Sequence, residues 1–218
     1  YRSSKVISFH KHYDRIEIYQ ENTRYYFDPE NPLSKAEGAN INSPILASLN
    51  IVGKDSAGTT YLVSGDDLFM SEKIAMIKPP SRSGRKSALG KLSKNKTKIT
   101  EFNNYPENLE VTVDYVYDNA NPSVYARALT DSRYISVSYR HALLQMPEES
   151  GFTPRQDDAR IGFFLTEVDD MTSPESTPWN DMIHRWRLEK KNPEADLSEP
   201  VKPITWWIEN TTPYEFRD

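Results

Sequence analysis

The stretch Leu109-Glu110-Val111-Thr112-Val113-Asp114-Tyr115-Val116-Tyr117 decides the fold. Val111, Val113 and Tyr115 fall on one face of an extended chain; Glu110, Thr112 and Asp114 fall on the other. A repeat of two marks a β-strand with one face in a core and the other towards water. Lys98 to Tyr105, just before it, reads as its partner strand. Tyr134 to Gln145 reads as a further long strand, with Ile135, Val137 and Tyr139 on one face.

The same period continues outward in both directions. Val6–Lys11 and Arg15–Tyr19 flank Tyr13-Asp14, which predicts a hairpin. Thr23–Asp28 can add a third strand, and a short helical turn is expected near Leu33–Glu37. Pro44–Val52 and Thr59–Val63 read as partners across the turn Lys54-Asp55-Ser56-Ala57-Gly58. Asp66-Asp67-Leu68-Phe69 reads as one helical turn capped by a carboxylate. Arg160–Val168 is a further strand candidate; Met182–Leu188 fits strand or helix, and strand is favoured. Ile204–Ile208 reads as a short apolar strand, and Thr212-Pro213-Tyr214-Glu215 as a capping box opening a helix. The expected class is therefore mainly β: antiparallel hairpins and sheets with few short helices, ending in the first strand and helix start of a following α/β domain.

Composition agrees. The 218 residues hold 15 Pro and 8 Gly, which favours extended segments joined by punctuated loops. Apolar residues are 37%, but 25 aromatics, 13 of them Tyr, are too many for a disordered chain. No apolar run approaches the roughly 18 residues that would span a bilayer. The absence of Cys excludes a disulfide scaffold, a Cys-ligated metal and a Cys nucleophile. A chain that opens on Tyr1 is expected to be a mature or excised piece of a longer one.

Charge is uneven. The net charge is −5, yet residues 73–100 carry nine basic side chains and no acid, leaving −14 on the remainder. With Pro79-Pro80, Gly84 and Gly90 in it, this stretch predicts a mobile solvated loop over 78–96. A basic arm for nucleic acid would interleave aromatics for stacking, and 73–100 has none, so no nucleic-acid partner is expected.

The sequence offers little chemistry. HExxH, GxSxG, GxxxxGK[ST] and GxGxxG are all missing. His10 and His12 share a face of a predicted strand, but two His ligands do not complete a zinc site, so no metal ligand is assigned. Trp179, Trp186, Trp206 and Trp207 suit a core or a sugar-stacking platform. On a strand, Trp206 and Trp207 point to opposite faces, one towards a core and one towards an interface. The densest constellation is Pro154-Arg155-Gln156-Asp157-Asp158-Ala159-Arg160-Ile161-Gly162-Phe163-Phe164. Arg155, Asp157, Asp158 and Arg160 either pair with one another to pin a corner or face a partner domain.

Pro154-x-x-x-Asp158-x-Arg160-Ile161-Gly162-x-Phe164, then Arg185-Trp186-Arg187-Leu188-Glu189, then Glu199-Pro200-Val201-Lys202-Pro203-Ile204, form an ordered series. With Asn40–Ala47 and Tyr105–Val111, this series resembles the N-terminal domain-of-unknown-function region of bacterial zinc-dependent, metzincin-like metalloproteases typical of Bacteroidota. The resemblance covers most of the chain. It implies a non-catalytic β-rich domain over 1–198, and over 199–218 a linker, first strand and helix start of a catalytic domain. The zinc ligands and the catalytic Glu would lie beyond residue 218, so no catalytic residue and no cofactor are assigned to this chain. The implied partners are the downstream metalloprotease domain and, for the parent enzyme, a protein or peptide substrate. The implied location is extracytoplasmic: periplasmic, outer-membrane-associated or secreted. On the resemblance, the domain shapes or restrains the catalytic domain, with Arg155, Asp157, Asp158, Arg160, Trp206 and Trp207 at the interface. An independent binding module for a glycan or surface protein is the second expectation.

Overall fold

The computed structural model describes residues 4–26, 43–74, 89–122, 127–148, 151–175 and 179–217. The chain divides into two units, Tyr1–Glu149 with Asp170–Pro178, and Ser150–Asp169 with Trp179–Asp218. The elements in chain order are β1 (Ile7–His12), β2 (Arg15–Gln20), β3 (Tyr25–Tyr26), β4 (Ile45–Lys54), β5 (Tyr61–Val63), α1 (Gly65–Phe69), β6 (Lys91–Leu92), β7 (Lys98–Tyr105), β8 (Asn108–Asp118), β9 (Tyr134–Leu144), β10 (Leu165–Thr166), β11 (Asp169–Asp170) and β12 (Met182–Ile183), followed by a 3-10 turn at Tyr214–Phe216. The protein is mainly β and antiparallel, as the alternation predicts.

The first unit is built on β8. Its water-facing edge residues are half-buried, while Val111, Val113, Tyr115 and Tyr117 are almost wholly enclosed. β8 pairs with β9 along its full length and with β7 and β6 on the other side. A second sheet runs β1-β2-β4-β5. Ile18 of β2 and Ala47 and Leu49 of β4 join Leu68, Phe69, Ile74 and the four β8 side chains in one apolar cluster. Removing this area from water is the main stabilising term, at about 25 cal/mol per Å².

Several local expectations are revised. The cap of α1 is not a carboxylate: the Ser64 hydroxyl accepts the Asp67 amide, and Asp66 and Asp67 sit inside the first turn. There they complement the positive end of the helix. β3, described as far as Tyr26, pairs with β11 instead of β2, with the Met171 amide donating to the Tyr26 carbonyl at 2.8 Å. The helical turn expected near Leu33–Glu37 lies outside the described residues, as does the 78–88 part of the expected mobile loop. The rest of that loop is structured. Lys91–Leu92 pairs with Asp118 and Tyr117. Ser93 accepts the Lys96 and Thr97 amides, and Lys96 reaches the Asp118 carboxylate at 3.1 Å. Local composition missed this because the ladder partner lies more than twenty residues away.

The second unit has thin secondary structure. Arg160–Val168 holds only the two-residue β10, paired with β12, and Met182–Leu188 only β12. Ile204–Ile208 has no regular secondary structure and no strand partner among the described residues. The capping box is also absent: Tyr214–Phe216 is a 3-10 turn preceded by Pro213, without a side-chain cap. Instead Arg217 reaches back to the carbonyls of Thr212 and Asn210, at 2.8 and 2.6 Å.

Candidate functional site

The 152–164 constellation is held by a narrow ladder. The Asp157 amide donates to the Asp181 carbonyl at 2.8 Å, and the Ile183 amide donates to the Arg155 carbonyl at 2.9 Å. Met182 lies between Gln156 on one side and Thr166 on the other. This fixes the backbone and leaves the charged side chains outside.

Their fates differ. Asp158 receives the Arg160 guanidinium on both oxygens, Nε to Oδ1 at 2.8 Å, and also accepts the Arg160 amide. The Arg160 hydrogen bonds hold the Asp158 carboxyl below the usual carboxylate range, and Asp158 in turn raises Arg160. The Ile161 amide closes the turn onto the Asp158 carbonyl at 2.9 Å. Asp158 and Arg160 are thus a corner clamp. Asp157 and Arg155 are exposed; the Arg155 charge also helps lower the Asp158 carboxyl, while no described side-chain hydrogen bond or ion pair engages Asp157.

The 185–189 run extends the same logic. Arg185 donates to the Thr153 carbonyl and lies over the Phe152 ring at 4.5 Å. Arg187 bonds Glu189 at 2.7–2.9 Å. It also packs so closely on Gly151 that a Cβ there would sit 2.9 Å from its Nη2. Trp186 and Leu188, which alternate with these arginines, remain exposed. Trp186 meets Trp206 edge-on, with centroids 6.5 Å apart and planes at 67°. A hairpin follows: the Lys191 amide donates to the Glu199 carbonyl, and the Val201 amide to the Glu189 carbonyl, each at 2.8 Å.

Trp206 is 81% exposed and Trp207 90%. Neither ring faces a core: both are exposed, and 204–208 joins no sheet among the described residues. More generally, none of the described residues of the second unit is buried. Phe164, Trp179, Leu197 and Tyr214 stand exposed with the two Trp. The backbone is ordered by ladders while these large apolar side chains stay exposed among the described residues.

The histidines are separately engaged. His10 bonds the Ser8 hydroxyl at 2.9 Å, and His12 lies 3.7 Å from Glu17. His184 bonds Thr166 at 2.9 Å. Among the described residues no three His, Asp or Glu side chains are placed to hold a metal ion. His141 is the exception in burial: it sits in the first unit against Phe69 and Tyr139, with Nε2 2.7 Å from the Tyr115 hydroxyl. Tyr115 donates its own hydrogen to the Phe69 carbonyl, so Nε2 of His141 must carry the hydrogen it shares with Tyr115. Burial lowers the His141 pKa to about 4 and raises that of Tyr115 well above its ordinary value. Sequence reasoning passed over this pair, although His141 continues the Ile135-Val137-Tyr139 face and that phase points it inward.

Residues 1–191 match the family model described as "Domain of unknown function (DUF5117)", and the chain belongs to that family. No curated protein and no solved structure matches it.

Proposed function

We propose that this chain is a non-catalytic β-rich domain of an exported zinc-dependent metalloprotease, and that its second unit packs on the catalytic domain and shapes or restrains it. The observation that carries the reading is the absence of any buried side chain among the described residues of that unit, while Trp206, Trp207, Trp186 and Phe164 are exposed. Enclosing each such side chain contributes on the order of 2 kcal/mol, so a protein surface covering several of them would be held firmly. The resemblance of the 154–164, 185–189 and 199–204 motifs to metalloprotease N-terminal regions supplies the partner. In this reading zinc belongs to the catalytic domain, where it polarises a peptide carbonyl and activates water. The described residues offer no ligand set for it.

A glycan-binding module is less well supported. Trp186 and Trp206 meet at 67° and so do not form one flat stacking face.

The test is made on the parent polypeptide. It should bind zinc and cleave peptides, and amides of 203–209 should exchange more slowly in it than in the 218-residue chain. Trp206→Ala with Trp207→Ala should abolish that extra protection. A parent protein without zinc and without peptidase activity would remove the reading.

A further inference from the structure

Among the described residues β9, Tyr134–Leu144, is an edge strand of eleven residues paired on one side only. Its hydrogen-bond phase is fixed at both ends: Asn119 donates to the Arg133 carbonyl, and Gln145 donates to the Glu107 carbonyl. These pairs continue the β8–β9 register, Asn108↔Leu144 through Asp118↔Tyr134. In an antiparallel ladder, directly bonded pairs alternate with unbonded ones. The odd residues of β9 therefore bond β8. The amides and carbonyls of Ser136, Ser138, Arg140, Ala142 and Leu144 point the other way, and no described backbone group meets them.

Natural edges are usually blunted by Pro, Lys, a bulge or brevity. β9 is long, contains no Pro, and runs against β8 without a register shift; its one cation, Arg140, is drawn back over the sheet to Glu101 and Glu110 at 3.4 and 3.7 Å. Burial also falls towards this edge. Val111 and Val113 on β8 are at 0% exposure, whereas on the same face of β9 only His141 is buried and Ile135, Val137, Tyr139 and Leu143 are half-buried. One more strand would complete that face.

We propose that the added strand is β9 of a second copy, paired antiparallel about a twofold axis through Tyr139. That register opposes Tyr134 to Leu144, Ser136 to Ala142 and Ser138 to Arg140 on the water-facing side. On the core-facing side it opposes Ile135 to Leu143, Val137 to His141 and Tyr139 to itself. Every pair is apolar with apolar, or small or polar with a non-repelling neighbour, and the bonded pairs are the even residues whose groups are free. Centring on Arg140 would oppose that cation to its own copy. Centring on Ser138 would leave Leu144, 72% exposed, beyond the strand overlap. Centring on Val137 or His141 keeps the even residues bonded but shortens the overlap, so the Tyr139 register is the one that pairs β9 along its whole length.

The proposal is tested by sedimentation equilibrium of the protein from low to high micromolar concentration. A monomer–dimer equilibrium is expected. Ser138→Pro removes an outward amide and no bond to β8, so it should give monomer with unchanged circular dichroism. Ser138→Lys places a cation opposite Arg140 and should weaken the dimer about three- to tenfold, while Ser138→Glu should not weaken it. If Ser138→Pro does not fold, the Lys and Glu variants decide alone. A wild-type protein that stays monomeric throughout, or a dimer indifferent to the Lys/Glu exchange, would overturn it.

Discussion

The Tyr115 hydroxyl lies 2.7 Å from Nε2 of His141 and simultaneously donates to the carbonyl of Phe69, so one oxygen ties β8, β9 and the end of α1 together inside the core. Neither residue carries chemistry in the proposed function. Their role is to satisfy one another and a helix-terminal carbonyl where water does not reach.

Tyr115→Phe keeps the ring and removes that oxygen. The Phe69 carbonyl and the His141 N–H then lose their buried partner. A destabilisation of about 1–3 kcal/mol is expected, since an unsatisfied buried group costs its desolvation. Urea unfolding checks it; a midpoint equal to wild type would show that water replaces the hydroxyl.

His141 makes stability fall in acid. Its folded pKa is lowered to about 4 from an ordinary value of 6.5, because burial disfavours the imidazolium. Below pH 6.5 the unfolded chain takes up a proton that the folded chain refuses. The contribution is intact above that pH and is lost progressively as pH falls towards 4, by up to about 1.4 kcal/mol per pH unit. The urea midpoint of His141→Gln should depend less on pH across this window. An unchanged slope would assign the acid sensitivity to other groups.

Gly90 should resist substitution more than Gly58. Both have positive φ, +85° and +72°, but a Cβ at Gly90 would lie 2.4 Å from the Asp118 carbonyl oxygen, and one at Gly58 meets nothing within 4 Å. Gly58→Ala is expected to cost about 1 kcal/mol in backbone strain. Gly90→Ala must also displace the end of β8 and should cost clearly more. Equal unfolding midpoints for the two would contradict the close approach.

Asp157 and Asp158 should separate. Asp158→Ala removes the acceptor of the Arg160 fork and should speed hydrogen exchange at Ile161, whereas Asp157→Ala should not. If this loop also restrains a catalytic zinc in the parent enzyme, the uncommitted Asp157 is the carboxylate free to reach it. Asp157→Ala would then change activity or zinc affinity. No change would leave 155–160 as a pinned corner.

The sequence by itself determined the strands whose two faces differ. Val111, Val113 and Tyr115 alternate with polar residues because one side of β8 is in oil and the other near water, and that contrast is written locally. β1, β2 and β9 were legible for the same reason; β4 was legible from its apolar and β-branched content, and β7 as the neighbour of β8. Tertiary structure alone decided pairing and burial. β3 bonds β11, far along the chain; β6 forms inside a stretch whose composition suggests disorder; Ile204–Ile208 has strand-like residues but no strand partner among the described residues. A strand is completed by hydrogen bonds to another segment, and the identity of that segment is not encoded in the run itself. The same holds at the candidate site. The Arg and Asp residues near 157 were visible as a cluster, but only the folded chain commits Asp158 to Arg160, leaves Asp157 free and exposes both Trp206 and Trp207, because each outcome depends on which neighbours arrive from elsewhere.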